Sequence, residues 1–250
     1  GTPQIWDVDC SWKFAVDNFT DNVHVFSAHQ SLVQLGMLPN DPDFACYGHM
    51  VTPGNGHILH FVKGAPGEEA FLYLGLPKDL WPLFDKNLNP AQREIAAAHG
   101  ISAGTVWPNF HWLQLVTSGE MNGHPYAYLN LRLELPLSPT RTRMYSWLAI
   151  DQAASPEYRK TSYETYVRTF GPGGIFDQDD MENWEDCTIA NMGPAAKRHS
   201  LHHTMGVNRK TDPSWPGPGP AYADSYGEMT QRAWYAEWLR VMSAANGAAK

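Results

Sequence analysis

The sequence predicts an α+β fold in which an antiparallel sheet is wrapped by helices, including a long C-terminal helix, in a helix-grip-like arrangement. Two observations support this prediction. Strand-like runs separated by turn residues fill the middle of the chain, and apolar residues recur at helical spacing near both ends. The helices are expected to cover one face of the sheet and to leave room for a cavity between the layers.

The N-terminal part is predicted to be helical. Between about residues 12 and 35, apolar side chains lie three or four positions apart, which indicates a helix with one break near Asn22. Turn-forming residues predict a loop over 36–56, and the apolar run 56–62 predicts the first strand. A short helix is predicted over 90–99, because an asparagine suited to the N-cap position and a proline suited to the first helical position begin it.

The remaining elements follow in order. Strand-like runs at 105–116, 125–137 and 142–150 are separated by turn signals and are expected to form an antiparallel meander. Two helices are then predicted on either side of a glycine-rich break at 171–174. A Pro/Gly-rich surface connection over 191–221 leads to a C-terminal amphipathic helix.

Composition limits the classes of protein that the chain can belong to. Its 250 residues are 43% hydrophobic, which is sufficient for a single domain over 1–250 with a substantial core and indicates no membrane span. The net charge of −8 and the lack of a basic stripe exclude a nucleic-acid partner. Three widely spaced cysteines predict no disulfide, and the N-terminus shows no signal peptide, so a cytoplasmic location is expected.

Two histidines and a group of carboxylates are candidates for chemistry. His24 and His29 lie about 140° apart on an ideal helix, so both would reach one ion only if that helix is irregular. Acidic residues between Asp177 and Glu185 crowd onto about two turns of a later helix. Taken alone, the carboxylates fit an exposed acidic helix start, and the histidines fit surface or buried structural roles. Together, two histidines and one carboxylate form the set that binds non-haem Fe(II) and leaves positions open for oxygen.

Two segments make this pattern specific. SWKFAVDNFTDNVHVFSAH (11–29) resembles the NWK…ENF…D-x-x-H-x4-H segment of the large, or alpha, subunits of Rieske-type aromatic-ring-hydroxylating dioxygenases, and FDQDDMENW (176–184) resembles their Q-D-D-x-E-N-W segment. TVWPNF (105–110) is similar to the strand that lines the active site of this family. The likeness extends over nearly all 250 residues, so the chain is similar to the catalytic domain of these subunits.

The resemblance implies roles for particular residues. His24 and His29 would be the imidazole ligands of Fe(II), and Asp180 the carboxylate ligand, with Asp179 as the alternative. Asp21 corresponds to the bridging aspartate of the family, which hydrogen-bonds a ligand histidine and connects it to the Rieske cluster of a neighbouring subunit. A pocket for a flat, poorly functionalised substrate is expected at seven further positions, namely Asn18, Phe19, Val23, Phe26, Asn109, Phe170 and Phe176.

The resemblance also implies an activity and partners. The enzyme would dihydroxylate an aromatic ring with O2. The electrons would pass from NAD(P)H to a reductase, often from there to a ferredoxin, and then to a Rieske [2Fe-2S] cluster. The alpha subunits are expected to form a head-to-tail homotrimer, in some relatives with a small beta subunit. A Rieske-type monooxygenase or demethylase and a non-enzymatic carrier of an apolar ligand are the alternatives.

The sequence lacks the motifs that bind the Rieske cluster in this family. A Rieske cluster requires a C-x-H and a C-x-x-H motif, whereas only one C-x-x-H, Cys46 to His49, occurs and is interpreted as accidental. The chain is therefore expected to be the catalytic domain without its N-terminal Rieske domain, and to be inactive without that domain. The pair His202 and His203 is expected to be solvent-exposed, and His57 and His60 are expected to be structural.

Overall fold

A single antiparallel sheet organises the part of the chain that the computed structural model describes, which is residues 1–36, 48–63, 73, 75–117, 126–224 and 226–247. Its strands are β1 (Gln4–Val8), β2 (Gly48–Gly54), β3 (His57–Lys63), β4 (His99–Val106), β5 (Phe110–Thr117), β6 (Tyr126–Ser138), β7 (Arg141–Ala149) and β8 (Ala221–Tyr222). They pair in the order β1-β7-β6-β5-β4-β3-β2-β8, and each of these pairings is antiparallel.

Helices precede, interrupt and follow the strands. They are α1 (Trp12–Thr20), α2 (His24–Ala28), α3 (Gln30–Gln34), α4 (Trp81–Asn87), α5 (Pro90–Ala98), α6 (Pro156–Thr169), α7 (Ile175–Met192) and α8 (Met229–Gly247). The predicted fold class is confirmed, because α1, α6 and α8 all pack against the sheet and α8 closes the described chain as a long helix. Among the described residues, no helix combines the length and the apolar character that crossing a bilayer requires.

The helices bury one face of the sheet. Ile58 of β3 packs with Val16 of α1 and Trp234 of α8. Tyr128 of β6 packs with Tyr166 of α6, and all five side chains are at most 2% exposed. Full burial of a large apolar side chain stabilises a fold by about 1.5–3 kcal/mol, so these contacts hold the first and last helices on the sheet.

Arg132 of β6 and Asp177 of α7 form an ion pair within this core. The Nη2 atom of Arg132 lies 2.6 Å from the Oδ2 atom of Asp177, and neither side chain is more than 1% exposed. The backbone N–H of Gly171 donates to the same carboxylate oxygen. The guanidinium lies 5.3 Å from the ring centre of Phe19 and 5.5 Å from that of Phe170. The pair therefore connects α7 and the preceding turn to the sheet.

The structure differs from the sequence prediction at the first hairpin of the sheet. Residues 48–54, predicted as loop, form β2 and pair with β3, while residues 37–47 of that predicted loop lie outside the described residues. Asn55 and Gly56 connect the two strands with φ values of 51° and 73°. Positive φ at both central residues is the requirement of a type I′ hairpin turn, which Asn-Gly satisfies at low cost.

The region from α5 to β5 also differs in part from the sequence prediction. The helix predicted over 90–99 is present, and a capping box between Asn89 and Gln92 begins it, but His99 already belongs to β4. The run 105–116, predicted as one strand, contains the end of β4, a turn and most of β5. The predicted helices on either side of the break at 171–174 are confirmed as α6 and α7.

Candidate metal centre

The two candidate histidines lie at opposite ends of a short helix. After α1, Asp21 has an extended backbone, and His24 is the first residue of α2. His29 lies between α2 and α3 with φ −100° and ψ 34°, outside the α-helical region. The break predicted near Asn22 is therefore one of two. Because of the second break, the His24 and His29 rings lie 5.5 Å apart at 76°, which an unbroken helix would not allow.

Asp180 of α7 completes a compact set of donor atoms. Its side chain is buried, and its Oδ1 atom lies 3.3 Å from Nε2 of His29. One donor atom from each of His24, His29 and Asp180 lies within 4.8 Å of the other two. Two ligands bound at about 2.1 Å and at right angles are roughly 3 Å apart, so small side-chain shifts bring this set onto one ion.

A carboxylate orients the ring of His24. The Nδ1 atom of His24 donates to Oδ1 of Asp21 at 2.7 Å, and the backbone N–H of His24 donates to the same oxygen at 3.1 Å. This leaves Nε2 as the nitrogen available to a metal ion. Carboxylates that bind the far nitrogen of a ligand histidine fix its tautomer and orientation.

Asp179 and Asp180 lie on different sides of His29. Oδ2 of Asp179 is 3.4 Å from Nδ1 of His29 and accepts a hydrogen bond from Ser31 Oγ at 2.8 Å. Asp180 instead faces Nε2 of the same ring. The geometry thus favours Asp180 as the ligand. It favours Asp179 as a residue that orients the ring of His29 through Nδ1, the nitrogen that faces away from Asp180.

The carboxylate of Asp180 is buried with an unpaired oxygen. Oδ1 has no hydrogen-bond partner within the protein, and burial raises the pKa of Asp180 to about 7. Burial also lowers the pKa of His29 to about 4, which keeps that imidazole neutral. Neutral imidazole and ionised carboxylate are the forms that bind metal ions, and a bound cation would offset the cost of burying the carboxylate charge. These residues therefore fit a divalent metal ion.

An apolar cavity lies beside the donor atoms. Phe170 and Phe176 stack in its wall with ring centres 5.3 Å apart and nearly parallel planes. Phe176 also meets the ring of His29 edge-on at 4.9 Å. Aliphatic side chains complete much of the remaining wall, namely Val25, Val62, Leu113 and Leu115. The cavity suits a flat apolar molecule held next to the candidate metal ligands.

Four of the seven predicted pocket residues line this cavity, namely Asn18, Phe19, Phe170 and Phe176. Val23 and Asn109 are not among the lining residues. Val23 lies just before α2, and Val25 occupies the wall instead. Asn109 lies in the turn between β4 and β5, where its Nδ2 donates to the backbone oxygen of Glu134 at 2.6 Å. The side chain of Phe26 lies outside the described residues.

The strands contribute cavity residues that the sequence analysis did not single out. His60 of β3, Ala103 of β4, and Leu113 and Leu115 of β5 are examples. Alternate residues of a strand share one face, so these positions become recognisable only when the strand boundaries are known. His60, expected to be structural, is 2% exposed and lines the cavity.

Two histidine motifs noted in the sequence lie away from this centre. His49 of the C-x-x-H match has its Nε2 atom 3.0 Å from Oδ2 of Asp212, while Cys46 lies outside the described residues. His202 is exposed as expected, but His203 is only 33% exposed, because its ring stacks on Tyr235 with centres 5.1 Å apart.

Known proteins with similar sequences share this domain. The family described as "Ring hydroxylating alpha subunit (catalytic domain)" matches residues 4–243. The alpha subunit of N,N-dimethyl phenylurea N-demethylase from Sphingobium sp. (strain YBL2) is 26% identical over 247 residues, which are 96% of this chain and 54% of that protein. The alpha subunit of benzene 1,2-dioxygenase from Pseudomonas putida is 26% identical over 250 residues, with coverages of 96% and 53%. The chain spans about half the length of these curated relatives.

Solved structures agree with the sequence comparison. The crystal structure of naphthalene 1,2-dioxygenase from Rhodococcus sp. bound to indole has a TM-score of 0.92 and 36% identity, and the match covers 97% of this chain and 56% of that chain. Another naphthalene 1,2-dioxygenase structure with indole in the active site has a TM-score of 0.70 at 20% identity, which shows the shared fold. The chain therefore belongs to the ring-hydroxylating oxygenase alpha-subunit family and corresponds to the catalytic domain of those subunits.

Proposed function

We propose that this domain holds a mononuclear Fe(II) ion through His24, His29 and Asp180, and that the complete enzyme uses it to dihydroxylate an aromatic ring with O2. The observation that carries the proposal is the meeting of these donor residues with an apolar cavity walled by Phe170 and Phe176. Two histidines and one carboxylate are typical of non-haem Fe(II) oxygenases. Membership in the family supports the same assignment.

The residues of the chain would bind the substrate and hold the ligands. When bound, the iron supplies the activation of O2 at positions that the protein leaves open. Phe19, Phe170 and Phe176 hold a flat ring through stacking and edge contacts. Their packing also excludes bulk water, which protects the reaction from side reactions. Asn18 lines the cavity together with Asp180, and its side chain favours the ionised, metal-binding form of that carboxylate by acting to lower its pKa.

Asp21 is proposed to connect the metal site to the electron supply. It binds His24, and its side chain is 17% exposed, so it reaches from the ligand towards the surface. The proposed electron path runs from NAD(P)H through a reductase and a ferredoxin to a Rieske [2Fe-2S] cluster that is held outside these 250 residues. A head-to-tail trimer would place the cluster of one subunit beside Asp21 of the next, and a small beta subunit is a further proposed partner.

An Asp21→Asn variant of the complete enzyme is expected to retain iron and to lose most of its turnover. The amide keeps the shape of the side chain but removes the charge beside His24, and partners of ligand histidines typically contribute about 10–100-fold to metal affinity or activity. Iron content and the rate at which O2 reoxidises the reduced cluster measure the two effects. Asp17→Asn is the control, since Asp17 bonds Tyr235 rather than His24. Equal reoxidation rates in wild type and Asp21→Asn would contradict the role.

Isotope-labelled O2 tests the proposed reaction. The complete enzyme, loaded with Fe(II) and supplied with a reductase and ferredoxin, is offered naphthalene, biphenyl, benzene and an N-methyl aromatic compound, and the products are analysed by mass spectrometry. Dihydroxylation places both oxygen atoms of one O2 molecule in the product, which is the expected result. A single labelled atom, or formaldehyde released from an N-methyl aromatic substrate, would instead indicate a monooxygenase or demethylase. A protein that binds an apolar ligand but no iron would overturn the proposal in favour of a carrier.

A further inference from the structure

His111 of β5 lies behind one wall of the cavity. Its side chain is fully buried and stacks on the ring of Phe19, with the ring centres 4.6 Å apart and the planes 19° apart. Phe19 lines the cavity, whereas His111 is not among the lining residues. Packed ring pairs stabilise one another beyond the area that they bury, and they prefer particular arrangements of their planes. The orientation of Phe19 therefore depends on a residue that lies outside the cavity.

Side chains from the two neighbouring strands hold the ring of His111. On β4, Thr105 lies opposite His111 in the register, and its Oγ1 atom forms a hydrogen bond of 2.9 Å with Nδ1. On β6, Oε2 of Glu134 lies 3.4 Å from Nε2, and this carboxylate has no hydrogen-bond partner among the described residues. All three side chains are at most 1% exposed. A rotation of the imidazole would therefore break its polar contacts where water cannot replace them.

Glu134 is itself fixed to the turn between β4 and β5. Its backbone N–H donates to the backbone oxygen of Asn109 at 3.1 Å, and its backbone oxygen accepts from Nδ2 of Asn109 at 2.6 Å. The contacts thus form a continuous series that runs from this turn through Glu134 and His111 to Phe19 in the cavity wall.

We propose that His111 is a positioning residue, which sets the plane of Phe19 and thereby the orientation of an aromatic molecule in the cavity. The inference rests on the proposed function, because it concerns how the same cavity holds its substrate. A flat ring that packs on Phe19 follows the plane of that side chain, and this orientation decides which edge of the molecule faces the candidate metal ligands. Without the stack on His111, Phe19 can turn about its side-chain bonds, and the cavity is expected to discriminate less between molecules of different outline.

The two isomers of methylnaphthalene test this role, since they have the same composition and differ in outline. Their dissociation constants are measured by equilibrium dialysis against the iron-loaded complete enzyme, without O2 and without reductant, so that no turnover occurs. The wild type is expected to prefer one isomer. His111→Gln keeps a polar side chain beside Thr105 and Glu134 but removes the aromatic ring. The ratio of the two constants is then expected to move towards one by about two- to tenfold, as for the loss of one ring contact.

Two further variants separate positioning from stability, because a loss of folding would lower both affinities together and leave their ratio unchanged. Thr105→Val removes the hydrogen bond that holds the imidazole with almost no change of volume, and it is expected to shift the ratio in the same direction. His49→Gln is the matched control, since His49 is also a buried histidine beside a carboxylate but does not line the cavity. The same shift in His49→Gln would contradict a role specific to His111.

A double variant tests whether the effect passes through Phe19. In a Phe19→Leu background, His111→Gln is expected to leave the ratio unchanged. The inference would be overturned by a wild-type ratio near one, by an unchanged ratio in both His111→Gln and Thr105→Val, or by an equal shift in the Phe19→Leu background. In each of these cases the isomers still bind, and the proposed function stands. If neither isomer binds although the protein holds iron, the aromatic substrate of the proposed function fails as well.

Discussion

An Asp180→Ala variant of the complete enzyme is expected to lose stoichiometric Fe(II) and, with it, turnover. Asp180 supplies the single carboxylate of the candidate ligand set, and its Oδ1 faces Nε2 of His29 at 3.3 Å in a buried position. Two imidazoles alone give an ion two protein ligands in place of three, without the charge that a carboxylate contributes. Anaerobic loading with Fe(II), removal of free metal and quantification of bound iron measure the effect directly.

Asp179→Ala provides the matched control on the neighbouring residue. Asp179 supports His29 from the Nδ1 side and accepts a hydrogen bond from Ser31, so its loss is expected to weaken iron binding by about 10–100-fold without abolishing it at saturating Fe(II). The reverse pattern, in which Asp180→Ala retains iron and Asp179→Ala does not, would show that the ligand assignment is wrong by one residue.

Arg132→Met is expected to cause the largest loss of stability among the substitutions considered. It removes one partner of the buried ion pair and leaves the carboxylate of Asp177 in the core without a positive charge. Breaking a buried pair in this way typically lowers the free energy of unfolding by about 3–5 kcal/mol. The guanidinium also packs near the rings of Phe19 and Phe170, so the cavity wall is expected to loosen at the same time. Urea unfolding followed by circular dichroism measures the change.

Arg143→Met is the control for the removal of an arginine from an ion pair. Arg143 binds Asp7 with an Nε–Oδ1 distance of 2.7 Å, but its side chain is 41% exposed. Solvent replaces most of what is lost at such a position, so a much smaller change in stability is expected than for Arg132→Met. Similar losses of stability in the two variants would contradict the prediction, because burial would then not increase the contribution of the Arg132 ion pair to the free energy of unfolding.

The predictions that depend on helix caps, glycine breaks and helical spacing agree with the structure. The capping residues before α5, the glycine-rich break between α6 and α7, and the amphipathic C-terminal helix each rest on neighbouring residues, and each is found where it was expected. β2 was missed although the Asn55-Gly56 pair is a strong hairpin signal, because Gly and Pro residues around it resembled a loop. The strand run at 105–116 was misjudged because a turn lies inside an apolar sequence.

Several features of the candidate site depend on the three-dimensional structure and could not be predicted from the sequence. The spacing of His24 and His29 is awkward on an ideal helix, and only the break at His29 brings the rings together. Spacing also cannot decide between Asp179 and Asp180 as the ligand, because the two residues are adjacent in the sequence. Only the structure shows that Asp179 lies near Nδ1 of His29 and Asp180 near Nε2. His60 lines the cavity because of its strand register, which depends on pairing between distant parts of the chain.

The positions of the candidate ligands have a consequence for folding. His24 and His29 come from the short helices near the start of the chain, and Asp180 comes from α7, after the central strands of the sheet. An ion bound by all three would act as a cross-link between distant segments, and it would bind the folded chain far better than the unfolded one. Iron loss and unfolding would then be linked equilibria, so the midpoint of thermal unfolding should rise with the concentration of free Fe(II).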